Sequence, residues 1–90
     1  DYNPGSSPSG NMNFISSLGS IKLKMTPEEV INATTINSAY AIGAEKEIGS
    51  ISIGKSANLF ITKPIPSYAY LTYSFGESII KNTIIKGKIQ

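Results

Sequence analysis

The sequence predicts a small α+β unit. Apolar residues recur at helical spacing through the first half of the chain, the spacing changes towards alternation after Gly43, and Pro, Gly and Ser crowd into residues 4–10 ahead of both. The same order of loop, two helices and strands also fits the tail of an α/β barrel followed by the start of a β-rich appendage, so the residue pattern leaves both architectures open.

The opening stretch, Asp1 to Gly10, reads as a loop, because Asn3-Pro4 and Pro4-Gly5 are turn-forming pairs. From Asn11 onward Phe14, Leu18, Ile21 and Met25 fall at i, i+4, i+7 and i+11, which predicts a helix of three or four turns with those residues on one face. Gly19 weakens it modestly.

A second helix is predicted over residues 26–42. Thr26 caps the free amides, Glu29 three residues on reaches back to the cap, and Pro27 suits the first helical position. Met25 and Val30 form a hydrophobic staple, Val30, Ala33, Ile36 and Tyr40 continue an apolar face, and Gly43 supplies a left-handed stop.

Beyond Gly43 the reading is of strands. Ile48, Ile51 and Ile53, punctuated by Gly49 and Gly54-Lys55, predict short strands joined by tight turns, and "ANLFIT" predicts another. Pro64 and Pro66 then open a tyrosine-rich connection with room for one helical turn. The chain closes on "SIIKNTIIKGKIQ", a hairpin with Lys86-Gly87 as its two-residue turn and Ile84, Ile85 and Ile89 on buried faces.

Composition narrows the chemistry. Ninety residues make one small domain with a thin core, and with neither cysteine nor histidine the chain has no disulfide, no thiolate metal site and no imidazole base. Eight lysines, six acids and no arginine give a formal charge of +2, which argues against a phosphate-reading surface and against nucleic acid as a partner. Lys81, Lys86 and Lys88 alternate with isoleucines and read as the solvent face of the hairpin. Tyr68, Tyr70 and Tyr73 read as packing residues rather than a base-stacking platform. Glu28 and Glu29 are helix-start acids rather than a catalytic pair. No apolar run reaches the roughly 18 residues of a membrane span, and the first residues lack the pattern of a signal peptide, so no membrane association and a cytoplasmic parent are expected.

The run Asp1-Tyr2-Asn3-Pro4-Gly5-Ser6 resembles the segment at the end of the last barrel strand in the imidazolonepropionases, metal-dependent amidohydrolases of histidine degradation. "MTPEEVINATTINSAYAIG" is similar to that family's capped helix, "IGSISIGKSANLFI" to its G-S-I-x-x-G-K-x-A-D-L strand pair, "YSFG" to its tyrosine-glycine connection and "NTIIKGKI" to its closing hairpin. The last hairpin, the helix and the strand pair recur across amidohydrolases, dihydroorotases and deaminases, whereas the first run points to the individual enzyme. Asn58 departs from the usual Asp, and Glu77-Ser78 from Val-Asn.

The resemblance implies a C-terminal fragment: the end of a (β/α)8, TIM-like barrel with its active-site loop and two helices over residues 1–43, then part of a C-terminal β-sandwich domain over residues 44–90. It implies a parent that hydrolyses 4-imidazolone-5-propanoate to N-formimino-L-glutamate with one divalent metal, zinc or iron, which lowers the pKa of bound water to about 7. Asp1 is then the metal-side carboxylate and general base, and Asn3, Gly5 and Ser6 are substrate contacts. The metal's histidine ligands would lie elsewhere in the parent, so none is expected bound here and the piece alone is expected inactive. A homo-oligomeric parent and self-association of the piece are also expected. The alternatives are the tail of another amidohydrolase acting on a different ring, and a non-enzymatic binding or structural module. Taken from composition, Asp1 and the Asn-Pro-Gly-Ser run would be turn residues only.

Overall fold

In the computed structural model, residues 4, 5, 10–73, 76 and 78–90 are described, and all structural statements concern them. Their elements are helices α1 (Met12–Ile21), α2 (Pro27–Thr34) and α3 (Ile36–Ala41), strand β1 (Leu59–Thr62), a single helical turn α4 (Tyr70–Tyr73), and strands β2 (Ile80–Ile85) and β3 (Lys88–Ile89). The α+β class follows directly. The chain forms two compact units, one of Asp1–Ile31 with Ile65–Ser78 and one of Asn32–Pro64 with Ile79–Gln90.

In the first unit α1 begins where Asn11 Oδ1 accepts the Asn13 amide at 2.9 Å, a local cap of an otherwise orphaned donor. The helix ends at Ile21, short of Met25, and Lys24 takes a left-handed φ of 56° just beyond it. The predicted apolar stripe is only partly buried: Phe14 and Leu18 are half-buried, Ile21 is exposed, and the buried positions are Ser17 and Gly19. A Cβ added to Gly19 would lie 3.1 Å from Val30 Cγ2, so glycine lets α1 approach α2 closely. The capping box at the start of α2 forms as predicted, with the Glu29 amide donating to Thr26 Oγ1 at 3.2 Å and the Thr26 amide to Glu29 Oε1 at 2.9 Å.

The helix predicted over residues 26–42 is two helices. Thr35 adopts φ −119° and ψ −95°, which ends α2 and starts α3. The break falls in Asn32-Ala33-Thr34-Thr35-Ile36, where β-branched side chains crowd the preceding turn and Asn and Thr compete for backbone groups. Ser38 Oγ compensates by donating to the Ala33 carbonyl at 2.5 Å. Tyr40, expected on the apolar face, is exposed. The predicted stop at Gly43 is present: with φ +74°, its amide donates to Tyr40 O at 3.0 Å while Ala44 N donates to Ala39 O at 2.8 Å. That pair of bonds is a Schellman motif.

The second unit carries a three-stranded antiparallel sheet in the order β1-β2-β3. Leu59 faces Ile84, Phe60 faces Thr83 and Ile61 faces Asn82, after which the register shifts so that Thr62 faces Ile80 and Lys81 bulges out. The β2–β3 connection is the two-residue turn predicted. Lys86 and Gly87 both have positive φ, 51° and 79°, as a type I′ turn demands. Of the hairpin's expected core residues only Ile84 is even half-buried; Ile85 and Ile89 are exposed, and the buried residue is Ile79, just before the strand.

Residues 48–53 are not strand. Glycines at φ +95° (Gly49) and +91° (Gly54) interrupt the run, no described strand lies alongside it, and Ile51 and Ile53 are 90% and 106% exposed. Two-residue periodicity states only which face of a strand would be apolar, and pairing requires a neighbour. Instead the segment is a chain of turns pinned by Lys55, whose Nζ donates to Ser50 Oγ at 2.7 Å and to the Ile48 carbonyl at 3.4 Å.

Candidate functional site

Three of the four residues assigned to the site from sequence, Asp1, Asn3 and Ser6, lie outside the described residues. Gly5 forms a turn with Pro4, and both are exposed. Gly10 and Asn11 lead directly into α1.

Among the contacts of α1 within its unit, two are close and buried. Ser17 Oγ donates to the Thr72 carbonyl of α4 at 2.6 Å, with both residues buried, and Gly19 packs against Val30. The Thr72 carbonyl belongs to the last turn of α4, where helix carbonyls call for a partner from outside the helix. Ser17 supplies that partner. Sequence reading missed it, because a serine among apolar residues of a helix carries no mark of a bond spanning 55 positions.

Acidic side chains at the start of α2 serve the fold. Glu29 completes the capping box, and Glu28 Oε1 accepts from the Tyr68 hydroxyl. That bond, with help from its own amide, holds the Glu28 carboxyl below its usual range, and the same bond followed by the carboxylate charge pushes the Tyr68 phenol up. Lys81, Lys86 and Lys88 are exposed, as the hairpin reading required.

The second unit has a groove of about 660 Å³ lined by α3, the turns of residues 48–58 and the start of β1. Ile42, Ile48, Ile51, Leu59 and Phe60 give it apolar walls. Several of its polar atoms are already engaged: Ser38 donates to Ala33 O, Lys55 Nζ to Ser50 Oγ and Ile48 O, and Asn58 Oδ1 accepts the Lys86 amide of the hairpin turn at 2.8 Å. Asn58 therefore keeps an acceptor oxygen at the position where it departs from Asp. The lining holds no carboxylate and no imidazole, hence no acid–base pair.

Glu45 Oε2 is buried without a hydrogen-bond partner, but among the described residues no group of three or more carboxylates gathers, and the sequence contains neither histidine nor cysteine. The described residues thus do not fit a divalent metal by themselves. Among them, no helix is long and apolar enough to cross a membrane.

Comparison with known proteins adds what these elements leave open. The pattern of the amidohydrolase family matches residues 9–90. The chain is 58% identical over 89 residues to the imidazolonepropionase of Flavobacterium psychrophilum and to that of Flavobacterium johnsoniae, in each case across 99% of this chain and 22% of the relative. It is 57% identical over 89 residues to the imidazolonepropionase of Christiangramia forsetii, with the same coverage of 99% and 22%. The family match starts at Ser9, whereas the matches to these relatives extend into the Asp1–Ser6 run. The chain spans about a fifth of the length of the curated relatives it matches.

Proposed function

This chain belongs to the amidohydrolase family, and from that premise we propose that it is the C-terminal part of an imidazolonepropionase, a hydrolase that converts 4-imidazolone-5-propanoate to N-formimino-L-glutamate. The observation that carries this reading is the 58% identity, sustained across 99% of the chain, to proteins of that name. Under it, residues 1–43 are the end of a (β/α)8 barrel with its active-site loop and helices, and residues 44–90 are strands of a β-sandwich domain. The antiparallel sheet and the exposed Ile51 and Ile53, which lack a described neighbouring strand, support that assignment. The parent is a cytoplasmic homo-oligomer.

The chemistry assigned to this chain is local. Asp1 accepts a proton from the attacking water as its oxygen bonds to the ring carbonyl carbon, then returns that proton to the ring nitrogen as the C–N bond breaks. Asn3 meets the N–C=O edge of the ring through its amide, Gly5 allows close backbone approach, and Ser6 offers a hydroxyl and an amide to the propanoate. A divalent zinc or iron in such a parent would supply an activated water. Asp1 is the one donor proposed from this chain, and the remaining ligands belong to the rest of the polypeptide.

The test is turnover by the full-length protein that contains this chain. Loss of 4-imidazolone-5-propanoate with stoichiometric appearance of N-formimino-L-glutamate is expected. A folded, metal-loaded protein that leaves this substrate intact while hydrolysing another cyclic amide or deaminating another ring would overturn the assignment.

A further inference from the structure

We propose that residues 47–56 are a preformed knob whose tip isoleucines, Ile51 and Ile53, dock into an apolar socket on the part of the parent polypeptide outside these 90 residues; this rests on the reading of the chain as one piece of a longer protein. Both side chains are almost wholly exposed, and from Ile48 to Gly54 no residue is charged. A single isoleucine on a surface calls for no explanation. Two at the tip of one tethered loop do.

The tethers are specific. The loop is closed at its base, where the Ser56 amide donates to Glu47 O at 2.9 Å, and the Glu47 and Ile48 amides both donate to Ala44 O at 3.0 Å. Gly49 sits so close to α3 that an added Cβ would lie 2.8 Å from Ala39 Cβ. Lys55 ties the far side: its amide donates to Ser52 O at 3.1 Å and its Nζ to Ser50 Oγ at 2.7 Å, while Ser50 Oγ and Ser52 Oγ share a hydrogen bond at 3.3 Å. These bonds hold the backbone in a form that leaves Ile51 and Ile53 in water, so the entropic cost of ordering the loop is met before any partner arrives. They also occupy the tip's hydroxyls and turn its neighbouring cation inward, which suits a dry, uncharged socket.

Size argues for an occupant in the same polypeptide. A stable contact between separate chains buries about 800 Å² on each partner, well beyond what two isoleucine side chains offer. A partner within the polypeptide escapes most of the cost of association, so a two-residue anchor suffices. The relatives are long enough to supply it, since this chain spans 22% of their length. Alternation of Ile51 and Ile53 would equally suit an added strand. The positive φ of Gly49 and Gly54 and the Lys55 bonds hold turns instead, so the socket receives side chains rather than a strand edge.

The experiment places Ile53→Cys in the full-length protein and follows alkylation at that position by peptide mass spectrometry. Labelling should be at least about tenfold slower in the native protein than in denaturant, as for a side chain reached only through local opening. Adding Lys55→Met, which keeps the side-chain length but loses the Nζ bonds, should speed native labelling about threefold. A benzophenone side chain in place of Ile53 should photo-crosslink, within one polypeptide, to a peptide outside residues 1–90. Ile51→Cys serves if Ile53→Cys does not fold. Equal labelling in native and denatured protein would leave the tip in water and overturn the proposal. A crosslink to a second copy or to residues 1–90 would assign another occupant and overturn it as well, and labelling indifferent to Lys55→Met would overturn the preformed knob. None of these readouts needs turnover, so a parent that hydrolyses another ring leaves the docking intact, and an imidazolonepropionase with the tip in water refutes the docking alone.

Discussion

The Tyr68 hydroxyl donates to Glu28 Oε1 across 40 positions of sequence, tying the connection before α4 to the first turn of α2. The bond holds the Glu28 carboxyl below its ordinary value of 4.5 and raises the Tyr68 phenol above 10.0. A depressed carboxyl contributes stability above its unfolded pKa and loses it as pH falls through the folded value. A raised phenol contributes below its unfolded pKa and loses it as pH rises through the folded value. The contribution should therefore be flat between about 4.5 and 10 and decline on both sides. In Tyr68→Phe the Glu28 midpoint, followed by carboxyl NMR, should move up towards its ordinary value. An unmoved midpoint would mean that the bond is absent in solution.

Gly49 and Gly87 both have positive φ, 95° and 79°, but their surroundings differ. A Cβ at Gly49 would lie 2.8 Å from Ala39 Cβ and 3.0 Å from Ile36 Cα, whereas one at Gly87 meets nothing within 4 Å. Gly87→Ala should cost only the left-handed backbone penalty, about 1–2 kcal/mol. Gly49→Ala adds overpacking of about 1–3 kcal/mol and should be the worse by roughly that amount. Denaturant unfolding of the two variants measures the difference, and equal losses would show that α3 yields to the added methyl.

Asp1 and Asn3 should separate kinetically in the full-length protein. Asp1→Asn keeps size and much of the hydrogen bonding but cannot accept the proton, so kcat should fall by about 10²–10⁴ with KM little changed. Asn3→Ala should instead raise KM, by an amount on the order of 1–3 kcal/mol for a lost contact, with less effect on kcat. Near-normal kcat in Asp1→Asn with metal bound would reduce Asp1 to a turn residue.

The 90-residue chain on its own should self-associate. Ile42, Ile51, Ile53 and Ile89 are each at least 70% exposed, and contiguous apolar surface or an uncovered strand favours association. Sedimentation velocity should show dimers or larger species, shifted towards monomer by Ile51→Ser with Ile53→Ser. A clean monomer of the unsubstituted chain at millimolar concentration would contradict this.

Features encoded by neighbours in sequence were legible without coordinates. The Thr26–Glu29 capping box, the Gly43 stop and the Lys86-Gly87 turn each depend on residues within a few positions, and each formed as read. The candidate site was legible as a motif, Asp1 to Ser6, through likeness to a family rather than through spacing, since an Asn-Pro-Gly run by itself specifies only a turn.

What the sequence determined by itself was therefore the α+β class, the absence of imidazole and thiol chemistry, and the local caps and turns. Tertiary structure decided the rest. It places the end of the first of two helices at Thr35, in a run whose β-branched, Asn and Thr residues disfavour a continuous helix. It left Ile51 and Ile53 out of any described sheet, because alternation marks a face and only a neighbouring strand supplies the hydrogen bonds. It also joined Ser17 to Thr72 and Glu28 to Tyr68, bonds 55 and 40 positions apart. Such bonds depend on how elements pack, and a hydroxyl's partner at that distance is set by the fold and not by the residues beside it.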